Sequence, residues 1–349
     1  MSELNSIFES MFYTTKGLER WIADCAVSGL AGMLPIAPGR PKLSVMADIS
    51  AEENIALFAL LAERPHKMTW PAIASEVALR GSAVDIWNEL HPPTFEGMSD
   101  GGGYLSDATE QLQSWAQGGF DVISVLDDRY PASLREIHEL PPVLFMRGKV
   151  HHDEIGVSVV GSRTASARAI SIAENVAGGL VDRGISVISG LAAGIDTAAH
   201  LTTLAAGGRP IGVIGTGINV AYPAANRDLH QRVADAGALI SQFFPGAPPR
   251  RQHFPMRNAV MSGIGRASVV VEASEHSGAR IQARLAVDHG RPVILTDLVV
   301  NGTEWGRAMI GRPGVHVASS TAETMAVVEE VVSADVLPNE SLPVLSLGD

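Results

Sequence analysis

The stretch GVSVVGSRTASARAISIAENVAGGLVDRGISVISGLAAGID (Gly156–Asp196) decides the fold. GVSVVG is a short apolar, β-branched run, and so is ISVISG. Between them lies a segment of helical spacing that extends to Arg183. Two such strands joined by a helix form a parallel crossover unit, and a strand apolar on both sides needs cover on both faces. The pattern then repeats. IDTAAHLTTLAAGG, NRDLHQRVADAG, RNAVMSGIG and SGARIQARLAVDHG read as helices, and PIGVIGTG, ALISQFF, ASVVVEA and PVILT as strands. The expected fold is α/β, an extended Rossmann-like, doubly wound, mostly parallel sheet.

Upstream, AEENIALFALLAERPHKMTWPAIASEVALRGSAVDIWNEL reads as several short helices, and HPPTFEGMSDGGGY as a linker rich in proline and glycine. The expected organisation is an extension at 1–45, a small helical domain at 46–90, a linker at 91–106, a Rossmann-like domain at 107–316 with its core at 155–300, and a C-terminal helix with an acidic tail at 317–349. FDVISVL and PPVLFMRG read as two further strands inside the larger domain. No apolar run of membrane-spanning length and no secretory signal is seen. The single cysteine, Cys25, excludes an internal disulfide framework and a cysteine-based zinc site, and fits a cytoplasmic setting.

The net charge of -12 is unevenly spread. Ile155–His316 holds fifteen arginines against ten acidic residues, a net of +5, so the flanks carry -17. Replacement of lysine by arginine across a GC-rich genome is one account of the arginine excess. It does not explain the asymmetry, which points to a polyanionic partner. The richest segment is FPGAPPRRQHFPMRNAVMSG (Phe244–Gly263), where Arg250, Arg251, His253 and Arg257 lie among prolines and phenylalanines.

Ligands of an open parallel sheet bind beyond the carboxyl ends of its strands. There the sequence places Gly161, Ser162 and Arg163, then Ser189, Gly190 and Gly194, then Gly215, Thr216 and Gly217, and finally Glu272, Ser277 and Gly278. Glycine admits close backbone approach, and helix N-termini offer N–H groups to anions. G-x-G-x-x-G is missing after the first strand, where Arg163 would fill the pyrophosphate space, and no Walker sequence occurs. No nucleophile–base pair and no cofactor site can be read. His200 reads as a packing residue and Asp196 as a helix cap.

Taken together, VVGSR, VISGLAAGIDTAAH, GVIGTGINVAYPAANRDLH, GALISQFFPGAPPRRQHFPMRNAVMSG, SVVVEASEHSGARIQARLA and GRPV resemble the DprA/Smf DNA-processing family. The resemblance implies a cytoplasmic, non-catalytic protein that binds single-stranded DNA, protects it, and loads a RecA-type recombinase in natural transformation or recombination. It also implies a homodimer and an extended Rossmann fold behind a small helical domain. Arg163 matches the arginine of the family's DNA pocket, and Arg257 and Asn258 lie in its basic HFPxRN loop. Thr164, Ala224 and Ala225 stand where a cation is common, and the sequence after GRPGVHV is too short for the winged helix many members carry. The expected phosphate and base contacts are Arg163, Arg250, Arg251, His253, Arg257 and Asn258, the glycine N–H groups, and Phe254 as a stacking ring. The rival readings are a nucleotide sensor and a nucleoside-monophosphate phosphoribohydrolase, for which Glu272 lacks the expected PGGxGTxxE setting.

Overall fold

The computed structural model describes residues 51–92, 102–151 and 154–334; the expected extension at 1–45, most of the linker and the acidic tail lie outside them. Four helices come first: α1 (Ala51–Glu63), α2 (Trp70–Arg80), α3 (Ala83–Leu90) and α4 (Tyr104–Trp115). Thr69 and Ser82 cap α2 and α3 with their side-chain oxygens, satisfying otherwise orphaned N–H groups. Glu53 of α1 accepts from the N–H groups of Ala83 and Val84, which pins α1 to the start of α3. Tyr104 opens α4 within the last residues of the linker expected at 91–106.

Then come β1 (Asp121–Ser124), a 3-10 turn (Ala132–Glu136), β2 (Val143–Gly148), β3 (Gly156–Val160), α5 (Ala167–Val181), β4 (Ser186–Ser189) and α6 (Ile195–Ala205). They are followed by β5 (Pro210–Val213), α7 (Arg227–Ala236), β6 (Ala238–Ser241), α8 (His253–Ile264), β7 (Ala267–Val270), α9 (Gly278–Asp288) and β8 (Val293–Thr296). The chain closes with α10 (Asp297–Gly302), α11 (Glu304–Met309), β9 (Val315–Ala318) and α12 (Thr321–Ala334).

All nine strands form one sheet in the order β1-β2-β6-β5-β4-β3-β7-β8-β9. β3 to β9 are parallel, and β1 and β2 extend the sheet antiparallel beyond β6. The fold is therefore the expected α/β, Rossmann-like one. Every residue of β3 to β8 is buried, as strands covered on both faces require. The boundary expected at 316 falls inside β9, and Met325 and Val328 of α12 pack in the same core as β3 and β7, so the sheet layer continues through α12.

The helical unit shares its core with the sheet. Trp115 of α4 meets Phe58 of α1, Phe145 of β2 and Phe244 at centroid distances of 5.5, 5.1 and 5.2 Å. Trp70 adds a contact to Phe244 at 5.2 Å. Phe244 thus belongs to an aromatic core between helices and sheet. Truncating Trp115 to alanine removes a ring that is 7% exposed at the centre of this cluster. The expected outcome is a loss of about 3–5 kcal/mol of unfolding free energy, read from urea titration.

Candidate functional site

The strand order reverses direction between β3 and β7, and the crevice beyond their carboxyl ends is where such sheets hold ligands. The turn after β3 packs tightly on the turn after β4. The Ile195 N–H donates to the Ser162 carbonyl, and Ser162 Oγ accepts from the Thr164 N–H. Gly194 has φ +79°, and a Cβ there would stand 2.2 Å from the Ser162 carbonyl oxygen. Only glycine fits this crossing of two turns. The packing leaves Arg163 exposed at the rim, with its guanidinium carbon 5.2 Å from the centroid of the Phe254 ring. Tyr222, 40% exposed, lies 5.7 Å from Phe254 on its other contact, at an interplanar angle of 46°. A cation and two partly open rings therefore share one surface, a geometry suited to phosphate and to the face of a base.

Under this surface lie a buried arginine and a buried aspartate. Arg257, one turn beyond Phe254 on α8, is 5% exposed and donates from Nη1 to the Val213 carbonyl at 3.0 Å. A Cβ on Gly190 would stand 1.3 Å from that Nη1, so the guanidinium lies directly against bare backbone. Nε has no hydrogen-bond partner. Asp196, buried in the first turn of α6, accepts from the N–H groups of Gly190 and Ala192 at 3.1 and 3.3 Å. It therefore ties the preceding loop rather than capping its helix, as its sequence position suggested. Burial pushes the Asp196 carboxyl up and the Arg257 guanidinium down to about 10, and their mutual attraction opposes both shifts. Arg257 remains a cation at neutral pH.

The other sequence candidates divide by exposure. Arg250 and Arg251 are exposed and, like Arg163, make no ion pair among the described residues. His253 is not a cation: it stacks on Phe243 at 4.0 Å and bonds to the Gly215 carbonyl, and burial lowers its pKa to about 4. Asn258 is buried and donates to the Gly278 carbonyl, joining α8 to α9, while Ser277 Oγ caps α9. Ser189 and Thr216 are buried and donate to the carbonyls of Val159 and Val220. Of the glycine donors expected to face a ligand, Gly190 is committed to Asp196 and Gly217 to the Ala247 carbonyl. Gly161 lies in the tight turn against Ile195, and Gly215 under the Phe254 ring. Glu272 accepts from the Ser166 N–H and steadies the start of α5.

Two residues of this region escaped sequence reasoning. Tyr222 sits in YPAAN, where attention fell on the two alanines. Asn226 in the same motif donates to the Leu191 carbonyl and to Thr197 Oγ1, both at 2.9 Å. It holds Leu191 at φ +57°, a conformation costly for a branched side chain. No group of three or more His, Cys, Asp or Glu suited to a metal occurs among the described residues, and none of the described helices is long and apolar enough to cross a membrane.

His200 of α6 is fully buried, and burial lowers its pKa to about 4. The unfolded chain, with histidines near 6.5, binds more protons between pH 6.5 and 4 than the folded one. The stability contributed by neutral His200 and His253 is present above pH 6.5 and is lost as pH falls through that window. Each contributes up to about 1.4 kcal/mol per pH unit. Urea midpoints measured from pH 7.5 down to 5 should fall, and His253→Asn should flatten the slope; parallel profiles would contradict the assignment.

The family described as DNA recombination-mediator protein A matches residues 121–331. The DNA processing protein DprA of Streptococcus pneumoniae is 37% identical over 209 residues, 59% of this chain and 74% of that protein. Protein Smf of Synechocystis is 40% identical over 172 residues, 48% of this chain and 43% of that protein. The X-ray structure of the pneumococcal DprA superposes with a TM-score of 0.57 at 30% identity, covering 78% of this chain and 92% of that one. The structure of Helicobacter pylori DNA processing protein A, described for its single-stranded DNA binding mode, shares the fold with a TM-score of 0.54 at 18% identity, over 60% of this chain and 96% of that one. With a match that spans most of the sheet and its helices, the chain belongs to the DprA/Smf family.

Proposed function

We propose that this chain is a non-catalytic mediator that binds single-stranded DNA at the β3/β7 crevice, protects it, and passes it to a RecA-type recombinase. The observation that carries the reading is the surface formed by Arg163, Phe254 and Tyr222. Arg163 is exposed and makes no ion pair among the described residues, so it can meet a phosphate without breaking one. Phe254 offers a stacking platform, worth roughly 1–3 kcal/mol per base where such platforms exist. In this reading Arg257 and Asn258 act from below. Arg257 anchors α8 on the Gly190 turn and the Val213 carbonyl, and Asn258 fixes the same helix, which carries Phe254. In the same proposal the chain acts as a cytoplasmic homodimer.

Binding through phosphates weakens steeply with salt, because each neutralised phosphate releases counterion. Arg163→Ala should weaken binding of a labelled oligodeoxythymidine at moderate salt and reduce the slope of log affinity against log salt by about 0.7. Wild-type affinity in this variant sinks the pocket assignment. Recombinase loading is read separately, as strand exchange on DNA pre-coated with a single-strand binding protein, with and without this chain.

A further inference from the structure

The connections at the ligand edge are sorted by charge. Segments 161–166, 190–194, 214–226 and 242–252, which follow β3, β4, β5 and β6, contain Arg163, Arg250 and Arg251 and not one carboxylate. Segments 271–277 and 297–304, which follow β7 and β8, contain Glu272, Glu275, Asp297 and Glu304 and no lysine or arginine. The division falls at the switch point between β3 and β7. Only Asp297 is neutralised, by Arg168 at 2.6 Å; the three glutamates make no ion pair among the described residues. Both open rings, Phe254 and Tyr222, lie on the basic half.

The basic half is also braced. Loop 242–252 is held at one end by Phe244, which packs on Trp70 and Trp115 of the helical unit. In its middle, the Gly246 N–H donates to Asn219 Oδ1 at 2.6 Å and the Ala247 carbonyl accepts from the Gly217 N–H at 2.9 Å. The backbone that carries Arg250 and Arg251 is therefore held before binding, so only their side chains remain to be ordered. A polyanion placed at Arg163 meets attraction in one direction along the edge and repulsion in the other.

Resting on the reading of this edge as a single-stranded DNA site, we infer that the strand leaves the switch point in one direction only. It runs from Arg163 past Phe254 and Tyr222 to Arg250 and Arg251 beside the helical unit, and the segments after β7 and β8 exclude it. Arg280 is the natural control, because it is exposed at the start of α9 on the acidic half of the same edge.

The experiment compares the full chain with Arg250→Glu/Arg251→Glu and with Arg280→Glu, by fluorescence anisotropy of labelled oligodeoxythymidine across a salt series. The paired variant should lose at least tenfold in affinity at low salt, and its salt slope should fall by about 1.4, the value for two phosphate contacts. Arg280→Glu should keep the wild-type slope. A slope lost in Arg280→Glu, or kept in the paired variant, overturns the directed path. Photo-cross-linking of iodouracil-substituted strand gives an independent reading: adducts at Tyr222 or Phe254 support the path, and adducts at the exposed His276 overturn it. Salt-independent binding by the wild-type chain, or none, instead sinks the underlying DNA reading and the path with it.

Discussion

Arg257 lies on Gly190 with no space for a methyl group between them, and Asp196 holds the N–H of the same glycine. This contact joins α8, the turn after β4 and the start of α6, and through the Val213 carbonyl it also reaches β5. Burying an arginine and an aspartate costs solvation that hydrogen-bond partners must offset, and here the Val213 carbonyl and the N–H groups of Gly190 and Ala192 supply them. Phe254 lies one turn back on α8, and its position follows from that arrangement. The Arg163 turn is set by Gly194 and by the bond from the Ile195 N–H to Ser162, at the head of the helix that carries Asp196. The surface above is thus placed by a polar contact beneath it, while the apolar layers supply most of the stability.

The helical unit enters the same scheme from the other side. Phe244 begins the arginine-rich loop yet is held among Phe58, Trp70 and Trp115. Proline and aromatic residues in this loop fix its path, and the charged residues are what remains for solvent. A cation carried on such a support can contribute to binding without the cost of ordering the loop backbone.

The parallel sheet was legible because its strands are continuous apolar, β-branched runs separated by helices of clear period. β9 was not. Its four residues, Val-His-Val-Ala, are only partly buried at the sheet edge and carry no comparable run. Helices α10 and α11 were missed because six residues are too few to show a period. At the site, sequence reported charge but not depth. It ranked Arg257 and Asn258 as surface ligands, although both are buried, and counted His253 as a cation, although burial keeps it neutral. Glycines 190 and 217 looked like open donors, but their N–H groups are spent inside the protein. Tyr222 was passed over because a lone tyrosine beside a proline carries no signal until its ring is found against Phe254.

The central claim is that Arg163 and Phe254 form one binding surface rather than two independent contacts. A double-mutant cycle tests it directly, using single-stranded oligodeoxythymidine affinities of wild type, Arg163→Ala, Phe254→Leu and the double variant at one salt concentration. The account predicts coupling: the double variant loses clearly less than the two single losses combined, by 0.5 kcal/mol or more, the lower end of about 0.5–3 kcal/mol for interacting residues. Losses that add, or a Phe254→Leu variant that binds like wild type, would contradict it.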